Sequence, residues 1–290
     1  MATKTPVAVL GLGLMGTGMA GRLIQKDFEV TVYNRTPGKA DALRSQGANV
    51  ASTPAEAAKG AQFLISMVAD DNAARSVWLG PQGALAGALP GAVLIECSTI
   101  SVGWARELAK HASDRGCDLL DAPVTGTKPH AAAGELLFLV GGDNQTVERA
   151  QPLFSAMGRG NVHLGPIGSG ALVKLINNFV AGVQAVSIAQ AIALIERTDL
   201  NAERALAVLT EGAPGSPLVK LLSKRMMTRD FTPNFMLKLM AKDMQYAIAE
   251  AQAHSVSLTT AAAALEVMRK ADQAGLGERD FSAVIEFLRQ

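Results

Sequence analysis

A lysine and an asparagine interrupt an apolar segment in the second half of the chain. Lys174 is flanked by apolar residues at 172, 173, 175 and 176, and Asn178 follows it after four positions. A spacing of four places both side chains on one face of a helix. Such a lysine either extends its ammonium group to water or lies in a cleft, where desolvation lowers its pKa and suits proton transfer. The spacing alone leaves both interpretations open.

Two further segments carry groups that could bind a small anion. Thr125 and Gly126 follow Asp121 in a loop at the predicted carboxyl end of a strand, where open α/β sheets bind their ligands. The Thr125 hydroxyl and a close backbone approach at Gly126 could hold a carboxylate, although a Thr-Gly pair is also common in an ordinary turn. Lys242-Asp243 could contact a phosphate or a carboxylate, but the pattern alone favours a surface ion pair.

A glycine-rich turn follows the first apolar run of the chain, at residues 7–10. The turn reads Gly11-Leu12-Gly13-Leu14-Met15-Gly16, and a helix-compatible segment follows it at residues 19–26. Gly11 and Gly13 allow the backbone to approach a pyrophosphate, and Gly16 allows the helix to pack close to the strand. Unpaired amides at the helix start would face the phosphates. This context favours a dinucleotide site formed by residues 11–16 over a purely structural turn.

The end of the next predicted strand is the position that distinguishes NAD from NADP. An NAD site places Asp or Glu there, and such a carboxylate would repel the 2′-phosphate of NADP. This chain has Asn34-Arg35-Thr36 and no acid, so that Arg35 and the Thr36 hydroxyl could hold a phosphate. A solvated surface arginine is the alternative. The sequence therefore predicts NADP(H) as the cofactor.

Composition narrows the classes of function. The 290 residues are 49% hydrophobic with a formal net charge of +1, which suffices for two domains and gives no sign of nucleic-acid or membrane-surface binding. The four histidines show no ligand spacing, so no metal site is predicted. Cys97 and Cys117 are predicted to be buried thiols in a reducing cytoplasm, and no signal peptide is expected. Three polar residues in the apolar segment 179–195 favour a buried helix over a membrane span.

Strands and helices alternate in the first part of the chain. The predicted strands are residues 7–10, 30–33, 63–67, 93–97, 118–121, 137–140 and 162–164. The predicted helices are residues 19–26, 54–58, 73–78, 104–115 and 146–156. From residue 171 onward, long Ala/Leu/Met-rich segments dominate, interrupted at 212–217 and 275–277.

This pattern predicts an α/β fold: a doubly wound parallel sheet of the Rossmann type, followed by an all-α C-terminal domain entered through a long interdomain helix. The predicted domains are 1–166, which binds NADP, and 167–290, which contributes to substrate binding and dimerisation. The apolar surface of the helical half could be covered by a second copy of the chain or by the first domain.

Several motifs, in this order along the chain, resemble those of the β-hydroxyacid dehydrogenase family, which includes 3-hydroxyisobutyrate, tartronate semialdehyde and glyoxylate/succinic semialdehyde enzymes. They are the turn at 11–16, Ser98-Thr99, the segment 121–126, residues 168–178 and Lys242-Asp243. The resemblance covers essentially the whole length. The segments 34–36, 127–129 and 231–243 are similar to the NADPH-dependent glyoxylate/succinic semialdehyde reductase branch.

The resemblance implies a role for each candidate residue. Lys174 would be the catalytic lysine that protonates the carbonyl oxygen in reduction and accepts the hydroxyl proton in oxidation. Asn178 would orient the substrate and Lys174, and Thr125 with Gly126 would bind the substrate carboxylate. The other implied substrate contacts are Thr99 and Phe235, and the other implied cofactor contacts are Val68, Ala69, Ala73, Thr99 and Lys242. The family also implies a homodimer or a tetramer.

Three departures from the family pattern leave the substrate open. Thr125 stands where the family usually has Ser, Glu96 where it commonly has Asp, and Val102 where it commonly has Pro. The alternative enzyme is a 3-hydroxyisobutyrate- or tartronate semialdehyde-type dehydrogenase, with promiscuous imine reduction, although imine reductases typically lack the lysine present at 174. The alternative from another class is a non-catalytic NADP-sensing module on the same scaffold.

Overall fold

The structure is a computed structural model, and it describes residues 4–36 and 38–290. The part of the chain before residue 166 forms one sheet. Its nine strands are β1 (Pro6–Leu10), β2 (Glu29–Tyr33), β3 (Asn49–Val50), β4 (Phe63–Ser66), β5 (Val93–Glu96), β6 (Asp118–Asp121), β7 (Val124–Thr125), β8 (Leu136–Gly141) and β9 (Gly158–Gly165).

The first six strands pair in parallel in the order β3-β2-β1-β4-β5-β6, as the predicted Rossmann-type fold requires. The predicted parallel sheet is thereby confirmed for these six strands, and one side of the sheet adds antiparallel pairs that the sequence analysis did not predict. The pairs Asp121↔Gly141 and Val124↔Phe138 show that β6 and β7 form one arm antiparallel to β8, and β9 then pairs in parallel with β8. The chain returns through the short segment between β7 and β8, and a hairpin return needs no crossover helix.

The helices between the strands are α1 (Gly16–Gln25), α2 (Asp41–Arg44), α3 (Pro54–Ala58), α4 (Asp71–Trp78), α5 (Ala84–Gly87), α6 (Val102–Ser113), α7 (Lys128–Ala133) and α8 (Asn144–Met157). The five predicted helices correspond to α1, α3, α4, α6 and α8, within a few residues at each end. The short elements α2, α5, α7, β3 and β7 were not predicted, because two to six residues carry too little periodicity to detect.

Short polar side chains fix where several helices begin. Thr53, Asp70, Ser101 and Asp143 each accept hydrogen bonds from amides in the first turn of α3, α4, α6 and α8. These N-caps satisfy donors that a helix start otherwise leaves without a partner. Because each cap comes a few residues after a strand, it also sets the length of the connecting loop.

The chain divides into two compact units, an N-terminal unit (Met1–Lys174) and a C-terminal unit (Leu175–Gln290). The predicted division at 166 and 167 falls earlier because it was placed at the last strand. The start of the long helix α9 (Ser169–Ile195) is bonded to the N-terminal unit, since the amides of Gly168 and Ala171 donate to Asp121.

The C-terminal unit is helical, as predicted. After α9 it contains α10 (Ala202–Glu211), α11 (Pro217–Thr228), α12 (Leu237–Ala253), α13 (Thr259–Ala271) and α14 (Val284–Leu288), with two short helical turns at Asp272–Leu276 and Phe281–Ala283. The predicted breaks are confirmed: α10 ends before Gly212, and Gly275 has a φ of +85°. Its core is formed by aliphatic and Met side chains such as Ile192, Leu222 and Met240.

Helix α9 is, within the described residues, the one helix long and apolar enough to cross a membrane by length and composition. Its most apolar 18-residue window has a mean hydropathy of 1.7, so its three polar residues do not exclude a span, contrary to the expectation from the sequence. Half of that window is buried inside the protein. The core helix of a folded domain has the same composition, and the burial favours that interpretation.

Both cysteines are buried thiols, as predicted. Burial, together with the carboxyl group of the neighbouring Glu96, raises the pKa of the Cys97 thiol well above its usual value. Burial and the carboxylate of Asp118 raise the pKa of the Cys117 thiol. Neither thiol is thereby suited to act as a nucleophile at neutral pH.

Candidate active site

Five loops of the N-terminal unit meet at the carboxyl edge of the parallel strands. They follow β1, β2, β4, β5 and β6, and they contain residues 11–16, 34–36, 67–70, 97–101 and 122–126. Hydrogen bonds connect neighbours: Gly11 N donates to Tyr33 O at 2.9 Å, and Met67 N donates to Leu10 O at 2.9 Å. The structure thus brings together the predicted substrate loop and the predicted cofactor residues of this unit apart from Ala73, which lies in the first turn of α4.

The glycines of the 11–16 turn are required for two different reasons. Gly11 has a φ of +102°, and a Cβ on it would lie 2.4 Å from the Met67 carbonyl oxygen; a Cβ on Gly16 would lie 2.0 Å from the Gly11 carbonyl oxygen. Those two residues therefore shape the turn itself. A Cβ on Gly13 would meet no protein atom within 4 Å. Open space beside the turn, where the fold gives no reason for a glycine, is what a closely bound ligand requires.

The backbone donors of this turn fit a pyrophosphate. Among the described residues, the amides of Gly13, Leu14 and Met15 donate to no protein acceptor, and they immediately precede α1. Free amides at the start of a helix bind phosphate oxygens. The residues present therefore fit a dinucleotide at this position. The neighbouring Leu12 is different, because its side chain is buried and its amide donates to Asn34 Oδ1 at 2.9 Å.

Asn34 holds the turn, whereas Arg35 and Thr36 are exposed beside it. The Asn34 side chain accepts from Leu12 and donates to the Thr36 carbonyl oxygen at 3.0 Å. Within the described part of the chain, the exposed Arg35 guanidinium forms no ion pair. Asn34 is thus a residue that shapes the site, and Arg35 is the group available for a 2′-phosphate.

The loops after β4 and β5 are held together by serine hydroxyls. Val68 N donates to Ser98 Oγ at 2.8 Å, and Ser101 donates to the carboxylate of Asp71 through its amide and its hydroxyl. Val68, Ala73 and Thr99 are half-buried, and Ala69 is exposed. These predicted cofactor contacts therefore line the same edge of the sheet as the glycine turn, and Ser98, to which the sequence analysis gave no role, fixes their loop.

The side chain of Glu96, the last residue of β5, stabilises these two loops. It is fully buried, and it accepts from Trp78 Nε1 at 2.7 Å and from the Ser98 amide at 2.9 Å. Burial raises the pKa of this carboxyl group, and the hydrogen bonds from Ser98 and Trp78 oppose that shift. The longer side chain at the position where the resemblance expects Asp therefore has a structural partner in Trp78.

The predicted substrate loop begins at a second buried carboxylate, Asp121. Its Oδ1 accepts from Gly168 N and its Oδ2 from Ala171 N, each at 2.8 Å. Thr125, four residues further, is half-buried in β7, and Gly126 is exposed with a φ of +126°. A Cβ on Gly126 would lie 2.9 Å from Leu136 Cδ2, so the glycine is required for the turn and not only for a ligand.

Lys174 lies in the first turns of α9 and is half-buried, between the buried residues Ala171 and Leu175. The sequence left open whether it extends to water or lies in a cleft. The residue is half-buried on a helix start that Asp121 holds, and the choice between these two interpretations stays a prediction. Lys174 and Asp121 both belong to the N-terminal unit.

The C-terminal unit holds a polar cluster around Asn178, which is 2% exposed. Asn178 Nδ2 donates to Asp243 Oδ2 at 2.6 Å, and Lys242 Nζ lies 2.9 Å from Asp243 Oδ1. The Asp243 side chain is 2% exposed and that of Lys242 17%. The prediction of a surface ion pair at Lys242-Asp243 is therefore wrong, because both side chains of this pair on α12 are largely removed from solvent. The sequence analysis named Asp243 only as part of this pair and gave it no contact with Asn178.

Phe235 lies in the loop before α12, and a third buried carboxylate fixes it. The Phe235 amide donates to Asp280 Oδ2 at 3.2 Å, and its ring packs edge-on against Phe281 with centroids 5.7 Å apart. Arg225 lies 3.5 Å from Asp280 Oδ1. No sequence signal connects Asp280 with Phe235, since 45 residues separate them.

Comparison with known proteins agrees with this architecture. Residues 6–165 match the family described as the NAD binding domain of 6-phosphogluconate dehydrogenase, and residues 168–288 match the NAD-binding domain of NADP-dependent 3-hydroxyisobutyrate dehydrogenase. The chain is 36% identical to glyoxylate/succinic semialdehyde reductase 1 of Arabidopsis thaliana over 283 residues, 98% of both chains. It is also 36% identical to the NAD-dependent L-serine dehydrogenase of Pseudomonas aeruginosa over 285 residues, 96% of both chains.

This chain belongs to the β-hydroxyacid dehydrogenase family. Like its relatives, it is an NAD(P)-dependent oxidoreductase. Among solved structures, 3-hydroxyisobutyrate dehydrogenase of Mycobacterium tuberculosis with L-serine has a TM-score of 0.89 and 33% identity, and the match covers 99% of this chain and 100% of that one. The resemblance found in the sequence motifs is thereby confirmed at the level of the family. Within the family, the similar proteins differ in substrate and in cofactor.

Proposed function

We propose that this β-hydroxyacid dehydrogenase is an NADPH-dependent reductase of small aldehydes or 2-oxoacids that carry a carboxylate, of the glyoxylate/succinic semialdehyde type. One observation carries the proposal: a single unit holds Lys174, the Thr125 loop and a glycine turn that fits a dinucleotide, with Arg35 exposed beside that turn. The identity to glyoxylate/succinic semialdehyde reductase 1 supports the substrate class.

The chemistry assigned to the chain is proton transfer and substrate binding. The bound nicotinamide supplies the hydride. Lys174 donates a proton to the carbonyl oxygen of the substrate in reduction and accepts it back in oxidation. The Thr125 hydroxyl and the backbone at Gly126 hold the substrate carboxylate. The roles of Asn178, Phe235 and Lys242 in the C-terminal unit stay predictions from the family resemblance.

Replacement of Lys174 by Met tests the reaction. The expected result is unchanged NADPH binding and a loss of kcat with glyoxylate and succinic semialdehyde of about 10²–10⁴-fold, the usual contribution of a general acid. Lys238→Met is the matched control, because Lys238 is an exposed lysine of α12 that pairs with Glu278. Turnover by Lys174→Met at the wild-type rate would show that the mechanism is wrong.

Arg35 is proposed to select NADPH over NADH. Its position after β2 and its lack of an acidic neighbour at 34 and 36 support this, while the NAD-dependent L-serine dehydrogenase shows that similar chains use NAD. Arg35→Asp is expected to lower kcat/KM with NADPH by about 10²-fold, because a charge-assisted hydrogen bond to the phosphate is replaced by repulsion. Arg44→Asp, an exposed arginine of α2, is the control. An unchanged ratio of NADPH to NADH activity would remove Arg35 from this role.

The alternative within the family is a 3-hydroxyisobutyrate- or tartronate semialdehyde-type dehydrogenase. A methyl or methylene difference between such substrates changes selectivity by only about 1–3 kcal/mol, so the pocket residues do not separate them. A steady-state panel of glyoxylate, succinic semialdehyde, tartronate semialdehyde and 3-hydroxyisobutyrate with both cofactors decides between them. The highest kcat/KM with 3-hydroxyisobutyrate and NAD would favour the alternative.

We also propose that the protein is a homodimer, with a tetramer as the alternative, located in the cytoplasm. Large apolar side chains are exposed on the C-terminal unit, among them Ile176, Val180, Leu194 and Val208. Exposed apolar surface of this kind is typical of subunit interfaces. Light scattering that gives the mass of one chain at micromolar concentration would contradict the dimer. The two buried, unpaired thiols support a reducing compartment.

A further inference from the structure

Three glycines, at positions 141, 168 and 170, lie next to Asp121. A Cβ on Gly141 would lie 2.4 Å from Asp121 Oδ1, and a Cβ on Gly170 would lie 2.6 Å from the Asp121 carbonyl oxygen. Gly168 has a φ of +96°, which side chains rarely adopt. Because none of these positions carries a side chain, the start of α9 approaches the carboxylate closely enough for direct hydrogen bonds from its backbone.

The carboxylate spans the beginning of α9. Gly168 N and Ala171 N donate to its two oxygens at 2.8 Å, and the amide of Gly170 contributes as well. These donors are 47 and 50 residues away along the chain. One side chain therefore connects two distant segments, the one that continues to Thr125 and the one that continues to Lys174.

We propose that Asp121 is the positioning residue of the active site: its carboxylate holds the first turn of α9 in place and thereby fixes Lys174 relative to the Thr125 loop. Thr125 lies four residues after Asp121, and Lys174 lies three residues after Ala171. Any movement of the helix start changes the distance between the proton donor and the bound carboxylate of the substrate. The inference rests on the proposed function, in which Lys174 moves the proton.

The same geometry makes the positioning depend on pH. Burial raises the pKa of Asp121 to about 6, although the amides of Ala171 and Gly168 oppose the shift. A protonated carboxyl group presents a hydroxyl donor to one of the two backbone amides, so one hydrogen bond is lost. Other titratable or charged groups near this region are Glu96 on β5, Arg106 on α6, His163 on β9 and Lys174 itself.

Asp121→Asn is the principal test, measured with glyoxylate and NADPH. The expected result is an NADPH Kd within about twofold of wild type and a kcat lowered by about 10²-fold, since displacement of a reacting group by about 1 Å has such an effect. Asp118→Asn is the matched control, because Asp118 lies on the same strand and its exposed side chain pairs with Arg149. A wild-type kcat in Asp121→Asn would overturn the proposal.

The pH profile separates positioning from general structural damage. In the wild type, kcat for reduction is expected to fall as the pH drops through about 6, whereas a lysine acting alone as general acid would lose nothing there. Asp121→Asn is expected to lack this acid limb, while His163→Gln and Glu96→Gln keep it. An acid limb that persists in Asp121→Asn and disappears in either control would assign it elsewhere and overturn the proposal.

Two measurements keep the outcomes distinct. If Lys174→Met is inactive and Asp121→Asn is fully active, the proposed function stands and the positioning role fails; if Lys174→Met is active, the proposed function itself fails. Should Asp121→Asn not fold, amide hydrogen exchange of the wild type replaces it. The protection of the Gly168 and Ala171 amides is then expected to decrease in parallel with kcat between pH 7 and pH 5, relative to amides of β1. Constant protection would overturn the proposal.

Discussion

The two units position their polar groups by different means. In the N-terminal unit the site is built mainly from backbone: glycines at 11, 13 and 16, free amides before α1 and loops at strand ends. In the C-terminal unit it is built from side chains that contact one another, the buried Asn178 and Asp243 and the half-buried Lys242. Backbone sites tolerate side-chain changes that leave the turn intact, whereas a buried charge cluster is sensitive to the loss of any member.

Asp243→Ala should give the largest effect, because it breaks the buried cluster of the C-terminal unit. Removal of this carboxylate takes away a group that both Lys242 and Asn178 contact, and breaking a buried pair typically costs about 3–5 kcal/mol. Urea unfolding measures the change. The matched control is Glu278→Ala, which breaks the exposed pair with Lys238 and should change the free energy of unfolding by less than about 1 kcal/mol.

Equal changes in the two variants would remove the distinction between the units. It would show that water reaches this cluster in solution and replaces the Asp243 carboxylate as the partner of Lys242 and Asn178. Asp243→Asn sharpens the result, because the amide keeps an acceptor for Asn178 and loses the charge opposite Lys242. Its stability is expected between those of the wild type and Asp243→Ala.

Asp121, like Glu96, is a buried carboxyl group of the N-terminal unit, and backbone amides of Gly168 and Ala171 donate hydrogen bonds to it. Burial raises its pKa from 3.8 to about 6. The folded protein therefore binds this proton more tightly than the unfolded chain. The free energy of unfolding should fall by about 3 kcal/mol as the pH rises from about 4 to 6, and it should change little from this group outside that window.

Unfolding of wild type and Asp121→Asn at several pH values checks the sign. The variant should lose this part of the slope, while the raised pKa of buried Glu96 leaves a residual slope in the same direction. The opposite sign would be a free energy of unfolding that rises between about pH 4 and 6 in the wild type but not in Asp121→Asn. Such a result would mean that the hydrogen bonds from the amides lower the pKa of Asp121 by more than burial raises it.

The glycine turn offers a paired test of the backbone-built site. Gly16→Ala should destabilise the protein by about 1–3 kcal/mol, because its methyl group would overlap the Gly11 carbonyl oxygen. Gly13→Ala should change stability by less than about 1 kcal/mol, since its methyl group meets open space. It should nevertheless weaken NADPH binding by about tenfold or more, because the methyl group would occupy the space beside the turn that a pyrophosphate requires.

Thermal unfolding and NADPH titration of both variants separate the two functions of the turn. If Gly13→Ala binds NADPH as the wild type does, the dinucleotide does not approach the turn at this residue. If Gly16→Ala is as stable as the wild type, the turn relaxes more readily than its contacts indicate.

The features that could be predicted from the sequence depend on local signals, and those that could not depend on contacts between distant residues. The glycine turn, the strands β1, β2, β4, β5 and β6 and the helical C-terminal half were predictable, because glycine spacing and hydrophobic periodicity are local signals. The antiparallel arm of β6 to β8 was not, since it depends on a return through a helix of six residues. Asp243 and Asp280 were not assigned, because a charged residue in a helix or loop gives no sign of its burial until its distant partners are known.

The smallest expected effect comes from Asp118, three residues before Asp121 on the same strand. Its carboxylate lies 2.5 Å from Arg149, but both side chains are 47% exposed. Water and salt screen such a pair, so Asp118→Asn should change the free energy of unfolding by less than about 1 kcal/mol, and less at high salt. Urea unfolding at low and high salt measures this. A loss as large as that from Asp243→Ala would mean that partners, and not burial, determine the effect of each carboxylate, and the contrast between the two units would then need another explanation.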